Sequence, residues 1–246
     1  MSELVLIGTS DHFSSGARRQ SAYLLRAASG TALIDCGQTT LHGMAALGIS
    51  RDEVDAIAVS HFHADHFGGV PSFLLATLYE DARRKPLLIA GPPGVEERIR
   101  RAARAGGHPL EDHHFRYALR FIELRAGTRA TEIGPVKIQA FETRHSPESC
   151  PHGMLIDCGA RRIAYSGDTG WFDALPEIVA GSEVFLCDCT QVRPDYPLHL
   201  SLHELSERRS RFDCGQFVLT HLGREMRELG GADGFAIADD GLAFKV

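Results

Sequence analysis

The decapeptide Ser60-His61-Phe62-His63-Ala64-Asp65-His66-Phe67-Gly68-Gly69 constrains this chain more than any other stretch of it. Three imidazoles and one carboxylate lie between His61 and His66, a dense set of nitrogen and oxygen donors suited to zinc and other borderline divalent metals. The run before it, Ala56-Ile57-Ala58-Val59-Ser60, is short and apolar, as a buried strand is. At the end of such a strand His61 and His63 point the same way, because side chains alternate with period two. Asp65 and His66 follow where the chain must turn, which aims them at a second point close by. Gly68 and Gly69, lacking Cβ atoms, are expected to let the backbone pass near that point. A polar loop that collected histidines by chance does not account for this order.

Length and charge narrow the surroundings. The chain has 246 residues, enough for one large α/β domain spanning 1–246 with a sizeable core. A net charge of −6 argues against a nucleic-acid partner, because phosphate binding needs a cationic footprint. Met1-Ser2-Glu3-Leu4-Val5-Leu6-Ile7-Gly8 has no basic flank and reads as a first strand, not as a signal peptide. No apolar stretch approaches the length of a membrane span, so no membrane association is expected. Cys36, Cys158, Cys187 and Cys189 sit in or beside apolar runs, where a free thiol behaves as a small hydrophobe. Reduced, packed cysteines fit a cytoplasmic protein. The sequence leaves room for a homodimer and does not fix the oligomeric state.

Strand signals and turns alternate through the first third: Leu4–Gly8, Ala22–Arg26, Ala32–Cys36, a helical stretch near Thr40–Leu47, then Ala56–Ser60. Pro71–Asp81 has helical spacing and Leu87–Ala90 reads as a strand. Glu96–Arg104 has acids in its first turn and arginines later, the order that suits a helix macrodipole. Ala105–His114 is expected to be a loop at the rim of the site, with His108, His113 and His114 as surface histidines. The second half echoes the first, Met154–Gly159 matching Ala32–Gly37 and Ile163–Ser166 matching Ile57–Ser60. Each second echo leads into a metal-type residue, His61 or Asp168. Two β-rich halves packed as a sandwich, with the site where strand ends converge, would follow.

His61-x-His63-x-Asp65-His66 resembles the signature of the metallo-β-lactamase superfamily, binuclear metal hydrolases with a four-layer αββα fold. Leu33-Ile34-Asp35-Cys36-Gly37 looks like its strand-ending Asp motif, Thr143-Arg144-His145 like the third motif, Tyr165-Ser166-Gly167-Asp168-Thr169 like the fourth and Leu219-Thr220-His221 like the fifth. The resemblance implies a first metal site of His61, His63 and His145 and a second of Asp65, His66 and His221, with the two oxygens of Asp168 shared. Two divalent cations, zinc first with manganese or iron as alternatives, would hold a hydroxide between them and polarise the oxygen of the bond under attack. Asp65 could also orient that hydroxide. Asp35 is expected behind the ligands, orienting their imidazoles.

Leu198-His199-Leu200-Ser201 resembles the His-x-Ser/Thr motif of RNase Z and related phosphodiesterases, in which the histidine gives a proton to the leaving alkoxide. A phosphodiester has a poor leaving group, so an added general acid has a task there. Asp188 stands where that branch has a Glu partner for this histidine, and it keeps the charge on a shorter arm. The tRNA-gripping arm of RNase Z has no counterpart: Thr77–Glu97 holds Arg83-Arg84-Lys85 but is short and balanced by acids. Processing of tRNA is therefore not expected, and a small phosphodiester or cyclic phosphate fits better. Two alternatives remain, a hydrolase of a carbonyl ester, lactone or thioester, which has less need of His199, and a non-hydrolytic metal-binding relative.

Overall fold

The first six strands of the computed structural model, which describes residues 2–246, form one sheet: β1 (Glu3–Gly8), β2 (Ala22–Ala27), β3 (Gly30–Ile34), β4 (Val54–Ala58), β5 (Leu87–Gly91) and β6 (Leu119–Glu123). The next seven form a second sheet: β7 (Thr131–Ile133), β8 (Val136–Glu142), β9 (His152–Cys158), β10 (Arg161–Tyr165), β11 (Ser182–Asp188), β12 (Cys214–Thr220) and β13 (Ala236–Ile237). The last strand, β14 (Ala243–Lys245), returns to pair antiparallel beside β1 and completes the first sheet.

Side-chain alternation explains the layering. Along β1, Leu4 and Leu6 point into a core shared with Ile138, Ile156 and Val184 of the other sheet, while Val5 and Ile7 point outward. The outward face is covered by α1 (Thr40–Ala46), α3 (Val70–Tyr79) and α4 (Val95–Ala105), and α2 (Ala64–Phe67) is the single turn inside the histidine loop. Across the molecule α5 (Leu175–Ile178), α6 (Leu202–Glu207) and α7 (Arg224–Glu228) cover the second sheet through Leu175, Leu205 and Met226. The order is helices, sheet, sheet, helices: the four-layer αββα architecture expected. Segments covered on both faces read as unbroken apolar runs, which is why residues 56–59 in and after β4 and residues 217–219 of β12 are continuously hydrophobic. In α4, Val95, Ile99 and Ala103 recur every four residues and form the buried stripe; burying a side chain such as Ile99 contributes about 1.5–3 kcal/mol.

Three expectations change. The internal echo does not carry through, because β3 and β4 are parallel whereas β9 and β10 form an antiparallel hairpin turning at Gly159. Only the second members correspond, β4 leading into His61 and β10 into Asp168. The 105–114 segment contains a short 3₁₀ turn, Leu110–Asp112, and its contacts run to the helical face: Tyr79 Oη lies 2.9 Å from His113 Nδ1, and Arg104 pairs with Glu111. Those contacts tie it to α3 and α4 and not to the ligand cluster. Finally, a Cβ on Gly69 would meet the Gly37 carbonyl oxygen at 2.3 Å, and one on Gly68 would meet that of Ala64 at 2.5 Å. The space these glycines leave is taken by backbone, which lets the histidine loop lie against the end of β3.

All six cysteines are free, with Cys187 and Cys189 both packed in the outer core of the second sheet. Arg83 is buried and donates to the carbonyl oxygens of Val54 at 2.7 Å and Pro86 at 2.8 Å, so it is a structural clamp. No helix among the described residues is long and apolar enough to cross a membrane.

Candidate metal centre

Three strands end in the same way. Asp35 after β3, Gly167 after β10 and His221 after β12 all have left-handed backbone, with φ of 57°, 57° and 55°. For a non-glycine residue that conformation costs on the order of 1–3 kcal/mol and persists only where the surroundings hold it. Here it turns the chain sharply off each strand and aims Asp35, Asp168 and His221 at one region. His61 and His63 arrive there from the end of β4, Asp65 and His66 from α2, and His145 from the loop after β8. Hydrogen bonds join the two halves at this edge: Phe62 N–H donates to Ser149 O at 2.9 Å and His152 N–H to Ser60 O at 3.2 Å.

The donor atoms fall into two overlapping groups, His61, His63, His145 and Asp168, and Asp65, His66, Asp168 and His221. Within each group they lie within 4.8 Å of one another. In the first, His63 Nδ1 is 3.2 Å from His61 Nε2 and 3.0 Å from His145 Nε2, and Asp168 Oδ2 is 3.5 Å from His61 Nε2. In the second, His221 Nε2 lies 3.1 Å from Asp65 Oδ2, and His66 Nε2 lies 3.2 Å from Asp168 Oδ1. The seven expected ligand residues are thus brought together, with Asp168 common to both groups.

The chemistry of this set fits a cation. His66 Nε2 and Asp168 Oδ1 are buried without a hydrogen-bond partner although they face each other, an expensive arrangement for polar atoms. Three ring nitrogens converging on one point cannot satisfy each other with the protons neutral imidazoles carry. Burial pushes His61 down to about 3, which keeps a lone pair available. Burial likewise lowers His63 and His145. Burial alone would raise Asp168, but His221, His66 and His61 outweigh it and hold the carboxyl well below the usual range. Asp65 is lowered in the same way by His66 and His221.

Behind this layer, Asp35 is fully buried and accepts four hydrogen bonds. Ser60 N–H donates to Oδ1 at 2.7 Å; Ser60 Oγ–H at 2.8 Å, Tyr165 Oη–H at 2.7 Å and His66 Nδ1–H at 2.7 Å donate to Oδ2. The last of these leaves His66 Nε2 free to face the centre.

His199 and Asp188 also meet here. His199 Nδ1 is 2.9 Å from Asp188 Oδ2, and the His199 ring stacks on His221 at 10° with centroids 5.2 Å apart. Burial would lower His199, but the Asp188 carboxylate outweighs it and lifts the imidazole to about 9. Local sequence explains the placement. Ser201 caps α6 in a reciprocal capping box with Glu204, which stops the helix short of His199, and Gln191 Nε2–H donates to His199 O at 3.0 Å. His203, one turn on, is exposed and reaches only Glu207, as a surface histidine does.

Two residues escaped the sequence reading. His12, after β1, places Nδ1 2.8 Å from Asp65 Oδ1, and Thr190 places its hydroxyl between Asp188, His199 and His221. A single histidine or threonine in a loop far from its partner carries no spacing that could have flagged it.

Comparison with known proteins agrees with this geometry. Residues 2–238 match the family model described as "Anti-Pycsar protein Apyc1". Ribonuclease Z of Mycobacterium bovis is 27% identical over 243 residues, covering 90% of this chain and 86% of that protein. The metallo-β-lactamase fold protein YhfI of Bacillus subtilis superposes with a TM-score of 0.79 at 19% identity, covering all of both chains. A diphosphatase from the PhnP family gives 0.80 at 16% identity, covering 100% of this chain and 98% of that one. At these identities the two structures speak to the fold alone.

Proposed function

The chain belongs to the Anti-Pycsar Apyc1 family and carries the metallo-β-lactamase fold, and we propose that it is a binuclear metal-dependent phosphodiesterase acting on a small phosphodiester or cyclic phosphate. The observation that carries this reading is the His199–Asp188 pair, 2.9 Å apart and stacked on a residue of the donor cluster. An enzyme that opens carbonyl esters or lactones has less use for a cationic imidazole beside its cations, because its leaving group needs less help than a phosphodiester alkoxide. The name of one relative, a ribonuclease 27% identical to this chain, points to the same bond class.

His61, His63 and His145 would hold one cation and Asp65, His66 and His221 the other, with Asp168 common to both sets. Cations held by those residues, zinc first, would supply a nucleophilic water at neutral pH and charge stabilisation for the phosphoryl oxygens. The protein's own groups do the rest. Asp35 fixes the His66 ring through its Nδ1–H. His12 fixes the carboxylate of Asp65, which as a ligand is poised to orient the attacking water. His199, kept protonated by Asp188, gives its Nε2 proton to the departing alkoxide as the P–O bond breaks, and Asp188 holds the ring in place. The proton balance then needs only the one released from water to return to His199 between turnovers.

A small substrate is favoured over tRNA. The clustered basic residues of 83–85 offer no arm, since Arg83 is spent on buried carbonyl groups, and the chain is net negative. The test is metal analysis with a substrate screen: protein purified without chelator should carry close to two divalent ions, and zinc- or manganese-loaded protein should open cyclic nucleotides and related phosphodiesters in preference to lactones and thioesters. Turnover confined to carbonyl substrates would displace the proposal.

A further inference from the structure

We propose that Thr190 is a positioning residue that ties the ligand imidazole of His221 to the Asp188–His199 pair, so that one carboxylate orients both rings. The inference rests on the metal-centre reading above for the role of His221, but its geometry is independent of any substrate. Thr190 Oγ1 lies 2.9 Å from Asp188 Oδ1, 2.8 Å from His221 Nδ1 and 3.0 Å from His221 O. A hydroxyl carries one proton and accepts through two lone pairs, and an ionised carboxylate only accepts. The Thr190 proton therefore goes to one of its two pure acceptors, Asp188 Oδ1 or the His221 carbonyl oxygen, and in either case His221 Nδ1–H donates to Thr190. That assignment leaves His221 Nε2 facing Asp65 Oδ2 and Asp168 Oδ2, at 3.1 and 3.5 Å. Asp188 does not reach His221 itself, since its Oδ1 stands 3.8 Å from Nδ1; the threonine bridges that gap.

The other oxygen of the same carboxylate serves the second ring. Asp188 Oδ2 accepts His199 Nδ1–H at 2.9 Å and Thr169 N–H at 3.0 Å. The near-parallel rings of His221 and His199 thus hang from the two oxygens of Asp188, one directly and one through Thr190. The backbone of Thr190 works to the same end. Its carbonyl accepts Gly223 N–H at 3.0 Å, and a Cβ on Gly223 would come within 2.4 Å of that oxygen. Thr190 therefore anchors the turn that holds His221 in its left-handed conformation. Outer partners of this kind orient metal-ligating imidazoles, and losing one commonly weakens metal binding 10–100-fold.

Thr190→Val removes the donor and the acceptor with little change of shape, and Thr190→Ser keeps both. Zinc affinity measured by competition with a chelator should fall roughly 10–100-fold for one of the two ions in Thr190→Val. Thr190→Ser should restore it close to wild type. In zinc-loaded wild-type protein, the imidazole ¹⁵N spectrum should show His221 protonated on Nδ1. Unchanged zinc affinity in a folded Thr190→Val, or no restoration in a folded Thr190→Ser, would overturn the proposal. Should neither variant fold, a His221 protonated on Nε2 in the wild type would overturn it by itself. If Thr190→Val loses zinc as expected while the wild type hydrolyses no phosphodiester, the phosphodiesterase reading fails and the positioning role stands.

Discussion

His12 and Asp65, 53 positions apart in sequence, meet at 2.8 Å between an imidazole Nδ1 and a carboxylate oxygen. Asp65 is buried and turns its other oxygen toward His221 and His66, while the side chain of His12 is half exposed at the mouth of the centre. His12 therefore decides which way the Asp65 carboxylate faces. Its exposure means that little apolar burial is lost when it is removed. His12→Ala is expected to lower metal affinity or turnover by roughly 10–100-fold and to leave the melting temperature of the metal-free protein almost unchanged. Isothermal titration with zinc and a thermal melt of the chelated protein check both halves; wild-type affinity and rate in the variant would show that the contact is incidental.

Asp35 should behave differently, because its four hydrogen bonds serve the fold as well as the site. Asp35→Ala leaves the hydroxyls of Tyr165 and Ser60 and His66 Nδ1 without their common acceptor in a dry environment, and each such orphan costs about 1–3 kcal/mol. Both stability and zinc affinity should fall, and a variant that melts like wild type and binds two ions would contradict the role given to Asp35.

Acid sensitivity has a source outside the donor cluster. His152, at the start of β9, is buried, its Nε2 lacks a partner, and burial pushes it down to about 4. The unfolded chain takes up that proton near its ordinary value of about 6.5, and the folded chain does not until about 4. The stabilising contribution is therefore complete above about pH 6.5 and is lost as pH falls toward 4, on the order of 3 kcal/mol in all. Urea melts of chelated wild type and His152→Leu between those limits should show the wild type losing on the order of 3 kcal/mol relative to the variant as the pH drops. A constant difference across the range would assign the acid limb to other groups.

Much of the fold and of the donor set was legible in the sequence, for identifiable reasons. The buried parts of β1, β2, β4 and β5, residues 4–7, 22–25, 56–58 and 87–90, appear as short apolar runs, and the acid-to-base order of α4 marks its direction. His61, His63, Asp65 and His66 are visible because strand periodicity and a turn fix their relative directions within one segment. Asp168, His145 and His221 come from three other strand ends and were legible through their motifs, not through spacing. His12 and Thr190 were not legible, since their significance lies in contacts made only after the sheets pack. The pairing sense of β9 and β10 was hidden for the same reason: similar apolar strings serve a parallel pair linked by α1 and an antiparallel hairpin alike.

The most direct test of the account compares two phosphodiesters in metal-loaded wild-type and His199→Ala protein, one releasing an alkoxide, such as a cyclic nucleotide, and one releasing nitrophenolate. Nitrophenolate needs little protonation to depart, whereas the loss of a general acid typically costs about 10²–10⁴ in rate. The account predicts a loss of that size for the alkoxide ester and only a slight loss for the nitrophenyl ester, with the metal content of the variant unchanged. Equal losses on both substrates would contradict a proton-donating role for His199, and with it the chief support for phosphodiester cleavage at this centre.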